Sequence, residues 1–435
     1  MFLYYLQLGM ASLRRNPVLT VLMVAGIGLG IAASMTTLTV MHLMGSDPIP
    51  TKSGKLRYVQ LDGWSVDRAY TDDGDPPDQL TYRDAVALMD AAKAERQAVM
   101  YKISMTAQPE NPEVKPFNAL GRATTADFFA MFEVPFAWGG GWDRQQDAQH
   151  GRVVVLDKTT NERLFGGADS VGKTVRLGDV DYVVSGVLGD WQPRIKFYDL
   201  TNGTLDQPEL FYIPFATAIE LEAGSAGNNN CWKESGEGWK AYLDSECVWL
   251  QMWVELDSSA DVAVYQGFLD SYAGEQKKLG RFQRPLNNRL PDVNEWMENQ
   301  RVVSSDMEVQ TGLAFAFLAV CLLNTVGLLL AKFMRKSGEI GLRRALGASR
   351  EQVFAQHLVE AAVVGISGGI VGLLLTGGGL AIVRSLYDDF ASVARLDWMM
   401  VAATVVLAII ASLLAGLYPT WRACRIVPAV QLKTQ

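Results

Sequence analysis

Histidine is almost missing from this 435-residue chain. Its three copies, His42, His150 and His357, stand far apart and at no metal-ligand spacing, so a zinc-type centre has nothing to build on. No G-x-S-x-G elbow and no H-E-x-x-H occurs, which removes the common hydrolase signatures. Cysteine is scarce, with four copies, which excludes a small scaffold stapled by disulfides. Clustered cations are lacking as well: the net charge is −8, and neutralising phosphates needs the opposite sign. No catalytic residue and no metal ligand are assigned, and nucleic acid is not expected as a partner.

What the chain does have is apolar length. Hydrophobic residues make up 49%, and mean hydropathy is +0.09. Four nearly uncharged runs are long enough to cross a bilayer, which takes about 20 residues in a helix. They are residues 18–44, 309–331, 353–383 and 398–418. Charge is divided between them unevenly. Residues 45–308 hold 41 Asp and Glu against 26 Lys and Arg, and the rest of the chain is net positive by 7. Arg14, Arg15, Lys332, Arg335, Lys336, Arg343, Arg344, Arg350, Arg422, Arg425 and Lys433 flank the runs, with only Glu339 and Glu351 against them. Basic flanks mark the cytoplasmic side. The expected order is therefore a cytoplasmic segment 1–17, with Phe2–Leu13 as an amphipathic helix; an outer domain 45–308; a cytoplasmic loop 332–352; a short outer loop 384–397; and a cytoplasmic tail 419–435. The fold class is an α-helical membrane protein with four transmembrane helices and a mixed α/β domain inserted between helices 1 and 2.

Within 45–308, alternating apolar patterns predict strands at Tyr58–Leu61, Ala98–Thr106, Val153–Leu156, Thr174–Leu177, Tyr182–Leu188 and Val248–Leu256. Helical spacing predicts Thr81–Arg96, Thr125–Phe132, Thr159–Phe165 and Ala260–Leu279. Cys231 and Cys247 are the only cysteines in this part, and an oxidising compartment favours a disulfide between them over two buried thiols. Residues 167–174 fit the phosphate-loop pattern letter for letter. Such a loop needs a strand before it and a helix after it. Here the order is reversed, so the match reads as a turn between a helix and a hairpin. The many outer carboxylates read as a solvated acidic face.

In the 332–352 loop, Gly338–Ser349 reads as a short helix with Leu342, Ala345 and Leu346 on one face and a Glu339–Arg343 pair at i,i+4. Gly347 suits its C-terminal cap, and Ser349 with Gln352 forms a capping box opening the third span. The bland reading is an interfacial helix lying on membrane lipid; the sharper one is a docking helix for a cytoplasmic partner. Gly26 with Gly30, Gly365 with Gly369, and Gly368 with Gly372 let helices approach closely, within one subunit or between two. Glu360, the carboxylate inside a span, is expected to snorkel or to pair with a loop arginine. Asn324 is read as an interhelical hydrogen-bonder.

The run Glu339–Ala348 resembles the "EIGIRRALGA" hallmark of the MacB/FtsX-like permeases of ABC transporters. The Leu13–Pro17 entry to the first span, the segment Arg152–Gly189, and the closing Tyr418–Ala423 and Pro428–Leu432 resemble other motifs of that family, in the same order. Trp421 and Cys424 depart from its smaller residues. The resemblance implies a non-catalytic permease subunit of a bacterial inner membrane. It implies pairing with a second copy or a related permease, and with a separate cytoplasmic ABC ATPase that binds ATP and Mg. Glu339, Ile340, Gly341, Leu342, Arg343, Arg344, Ala345, Leu346 and Gly347 would form the coupling helix seated in that ATPase. Movement would pass along the helices to the outer domain (mechanotransmission), for efflux or export with a periplasmic adaptor as a further partner. Lipoprotein release and control of cell-wall hydrolases use the same architecture. A membrane-anchored sensor or adaptor without an ATP cycle is the alternative of a different class.

Overall fold

In the computed structural model the described residues are 15–109, 114–191, 193, 195–206, 208–386 and 398–424. The expected Phe2–Leu13 helix, most of the 384–397 loop and the Pro428–Leu432 motif lie outside them. The chain divides into two compact units, one comprising Asp47–Val302 and the other the segments that flank it.

The membrane unit holds the four helices long and apolar enough to span: α1 (Pro17–Met44), α10 (Ser305–Arg335), α12 (Arg350–Leu386) and α13 (Trp398–Cys424). The last three match the expected runs but overrun them at described ends, because a helix stops where its caps are, not where apolarity fades. Ser304 accepts from the Met307 N–H and opens α10 four residues ahead of the apolar run. Met23, Ile27, Ile31, Leu318, Leu329 and Val364 are among the residues that form the interhelical core. Polar links join it: Ser34, fully buried, donates to the Ala314 carbonyl at 3.0 Å. Asn324 instead lies on the exposed face of α10.

The inserted unit is built on a nine-stranded mixed sheet. Its strands are β1 (Leu56–Tyr58), β2 (Arg96–Gln108), β3 (Phe117–Thr124), β4 (Phe136–Gly139), β5 (Val153–Leu156), β6 (Thr174–Leu177), β7 (Val180–Leu188), β8 (Phe211–Pro214) and β11 (Gln251–Glu255). The order is β1-β11-β2-β3-β8-β5-β7-β4, with β6 pairing β2 and β7. Only β3–β8 and β5–β7 run parallel among these pairs. Between them lie α2 (Tyr82–Ala91), α3 (Asp127–Met131), α4 (Arg144–Ala148), α5 (Lys158–Phe165), α6 (Phe215–Glu220), α7 (Trp239–Leu243), α8 (Ser259–Lys278) and α9 (Val293–Asn299). A separate two-stranded hairpin pairs β9 (Asn230–Cys231) with β10 (Cys247–Val248).

Local signals set several of these boundaries. The helix expected over Thr81–Arg96 stops at Ala91, because Ala92 adopts a left-handed conformation at φ 47° and frees Arg96 to start β2. The phosphate-loop look-alike is the turn leaving α5. Gly166, Gly167 and Gly172 take positive φ there, and β6 and β7 follow as a hairpin in which Leu177 faces Val180 across Gly178 at φ 60°. No helix N-terminus follows the match, so nothing cradles a phosphate.

Candidate functional site: the loop helix and the buried charges behind it

The loop between the second and third spans folds into α11 (Ser337–Ala345). A single residue, Lys336, separates it from α10, so the two have little slack between them. Glu339 lies in its first turn and Arg343 and Arg344 in its last, which complements the helix dipole. Gly347, at φ 103°, ends it: Ala348 N–H donates to Arg343 at 3.1 Å and Gly347 N–H to Arg344 at 3.2 Å. That crossed pair is a Schellman motif. Ser349 and Gln352 then cap one another reciprocally, 3.0 and 3.2 Å, and open α12. The C-terminal exit of α11 is thus fixed by hydrogen bonds.

Its two faces differ. Ile340 is 5% exposed and belongs to the interhelical core, and Gly341 is buried beside it. Leu342 and Leu346 are 56% and 80% exposed, an i,i+4 apolar pair left open among the described residues. Arg343 pairs with Glu339 at 2.9 Å and also donates to Gln356 on α12 at 2.9 Å, so it anchors the helix. Arg344 is half-buried.

Directly behind the anchor sits a cluster of buried charge. Glu360 on α12 meets Lys332, in the last turn of α10, at 2.6 Å, and both side chains are 1% exposed. Lys336 approaches the same carboxylate at 3.8 Å and His357 at 3.5 Å. The His357 ring lies 4.3 Å from that of Phe333. The expected partner, a loop arginine, is therefore replaced by a lysine of the neighbouring span. The reason is reach: Glu360 faces α10, whereas Arg343 is held by Glu339 and Gln356. Leaving a carboxylate unpaired at that depth costs several kcal/mol, on the order of 3.

Gly30, Gly365, Gly368, Gly369 and Gly372 pack against neighbouring helices of the same chain. A side chain at Gly365 would strike Ser412 and one at Gly369 would strike Ala408, so α12 and α13 meet through small residues. Gly368 and Gly372 abut Ile27 and Ile31 of α1, and Gly30 abuts Leu318. Gly26 has open space in front of it.

In the inserted unit Cys231 and Cys247 are bonded across the β9–β10 hairpin. Sequence reasoning missed a second feature there. Asp199 and Glu209 are fully buried and share Arg122, itself buried on β3. Arg122 Nε donates to Glu209 at 2.6 Å. Lys196 reaches Glu209 at 2.9 Å, Tyr198 and Tyr212 donate to it at 2.8 and 3.2 Å, and Gln251 donates to Asp199 at 3.0 Å. Burial alone would raise the Glu209 pKa, but Arg122 and Lys196 outweigh it and hold the carboxyl well below its ordinary range. Among the described residues no group of three His, Cys, Asp or Glu is arranged to hold a metal ion.

Four apolar helices with an α/β domain inserted after the first define a multi-pass membrane protein of permease architecture. The MacB-like periplasmic core domain matches residues 20–267, and the FtsX-like permease C-terminal domain matches residues 311–428. The chain belongs to the MacB/FtsX-like ABC transporter permease family. Relatives carry the name macrolide export ATP-binding/permease protein MacB. That of Chlorobaculum tepidum is 25% identical over 68% of this chain and 40% of its own length. Those of Syntrophobacter fumaroxidans and Nitrobacter winogradskyi are 23% and 24% identical, over 98% and 96% of this chain and 63% and 58% of theirs. The chain thus spans roughly half the length of the curated relatives it matches. Among solved structures, the periplasmic region of MacB from Actinobacillus actinomycetemcomitans shares 16% identity at TM-score 0.38, covering 58% of this chain and 94% of that one.

Proposed function

We propose that this chain is the membrane subunit of an ABC system of the inner membrane, with both termini in the cytoplasm, and that it couples a cytoplasmic ATPase to movement of its inserted domain. The observation that carries this reading is the exposed Leu342–Leu346 pair on a helix whose other face is packed and whose C-terminal exit is capped. An apolar i,i+4 pair on a rigid helix suits insertion into a groove of a partner. The partner ATPase would bind ATP and Mg, and this chain would make no bond-breaking contribution. Pressure on α11 would reach α12 through Arg343 and Gln356, and α10 through Lys332 and Glu360. In sequence, α10 follows directly on the inserted domain. Two copies, or this chain with a related permease, would form the working unit. Export or efflux, aided by a periplasmic adaptor, is the specific activity the family resemblance supports.

The test is co-purification. Because Arg343 is engaged within the chain, the decisive variant is Leu342→Asp with Leu346→Asp, which alters only exposed positions. The expected result is an unchanged thermal melt and loss of the ATPase from the purified complex. Retention of the ATPase with full ATP turnover would remove the coupling role from α11.

A further inference from the structure

The loop after β1 and the β9–β10 hairpin together wall a cavity of about 590 Å³, which is within the size range of small-molecule sites. Its lining is unlike the surrounding acidic surface. Trp64, Tyr70 and Trp232 supply aromatic faces, Asn230 supplies an amide, and Arg68 is the only charged residue in the wall. Trp232 is 40% exposed although it is a large aromatic, and Arg68 is exposed with no described carboxylate paired to it.

The walls are fixed in advance. Trp64 and Tyr70 meet edge to face at 5.0 Å, and Asn230 donates to the Tyr70 hydroxyl at 3.1 Å. Arg284 pins the strand end by bonding Asp62 at 3.1 Å and the Ser65 carbonyl at 3.3 Å. On the other side, Trp232 follows Cys231, which is bonded to Cys247. The same loop is docked by Trp239, which donates to the Ile219 carbonyl at 3.0 Å, and by Tyr242, whose ring lies 5.3 Å from Trp249. Aromatic rings presented this way need little ordering on binding.

We propose that this cavity is a binding site for a small aromatic carboxylate, whose ring packs between Trp64 and Trp232 and whose carboxylate pairs with Arg68. The acidic residues elsewhere on the domain slow the approach of an anion. None of them is in the wall, where Arg68 is the charged residue, and exposed charges are weakened by salt. A guanidinium also favours a planar carboxylate over a neutral amide by geometry. The inference goes beyond the coupling role of α11 and stands without it, since it concerns binding by the chain alone.

Calorimetric titration of the full chain in detergent tests it, with naphthalene-1-carboxylate as probe and protein-free micelles as the blank. Saturable binding is expected, about threefold or more tighter than that of naphthalene-1-carboxamide. Arg68→Met should erase that difference, and Trp232→Leu should weaken both probes by about tenfold. Both positions are exposed, so the thermal melts should match that of the parent protein. Absence of saturable binding overturns the proposal. So does equal affinity for the two probes, an Arg68→Met variant that keeps the preference, or tighter binding of naphthalen-1-ylmethylammonium.

Discussion

Both units bury charge, and they do so in opposite ways. In the inserted domain, Arg122 and Lys196 face Asp199 and Glu209 inside a shell of donors from Tyr198, Tyr212 and Gln251. With Asp206, which Lys196 and Lys102 share, three cations and three carboxylates balance, and Glu209 accepts from four different residues. In the membrane unit a single carboxylate, Glu360, is approached by Lys332, Lys336 and His357. The first arrangement has one low-energy geometry, because moving any member strands another. The second has one acceptor and several candidate donors, so a small shift of α10 against α12 can exchange Lys332 for Lys336 without stranding the carboxylate. A network of many mutual bonds makes a rigid body; one with exchangeable partners makes a joint.

The largest expected effect breaks the rigid side. Arg122→Met leaves two carboxylates buried without their shared cation, and should cost about 3–5 kcal/mol or more, seen as loss of the folded full-length chain or a steep drop in its melting temperature. A melt within a degree of the parent would mean that the network is ornamental to the fold.

A smaller effect is expected at the joint. Lys332→Met leaves Glu360 with Lys336 and His357 still in reach, so the cost should be about 1–3 kcal/mol. Lys332→Met combined with Glu360→Leu removes both charges and should recover most of that loss. If stability recovers while the proposed coupling to an ATPase does not, the pair serves motion more than packing. If the single variant is as damaging as Arg122→Met, the contrast between the two clusters collapses.

The same contrast explains what could be read from the sequence. The spans were legible because about 20 contiguous apolar residues have few other uses. The loop helix was legible because Glu339, Arg343, Gly347, Ser349 and Gln352 are local signals lying within a few residues of one another. The Arg122 network was not: its members are separated by 77 and 87 residues, and a lone arginine in a strand gives no hint of its partners. Strand β3 escaped for the same reason. Asn118, Gly121 and Arg122 spoil its alternation, yet each residue fits the fold, with Gly121 making room for the Phe211 ring. Glu360 was visible as an intramembrane carboxylate, but its partner was set by which helices pack together. The small-residue positions could be listed, but not divided between contacts within a chain and between chains, because the same spacing serves both.

The smallest effect sharpens the comparison inside the inserted domain. Asp147 accepts only from neutral donors, the Ala126 N–H and Trp142 Nε1, both at 2.6 Å. Burial outweighs the two neutral donors and pushes its pKa from 3.8 up to about 6, whereas Arg122 and Lys196 force Glu209 the other way. The two carboxylates therefore give pH dependences of opposite sign. For Asp147 the folded state binds the proton more tightly than the unfolded chain, so its contribution is fully present below 3.8 and is lost as pH rises through about 6. For Glu209 the contribution is present above its ordinary value of 4.5 and is lost as pH falls toward its depressed one. Asp147→Asn keeps an acceptor for one of the two donors and removes the titration. The difference in melting temperature between parent and variant should therefore change between pH 4 and about 6 and stay flat above pH 7, with the parent gaining on the variant as the buffer is acidified. Parallel profiles across that window would show that Asp147 titrates alike in the folded and unfolded chains, and that burial does not set its pKa.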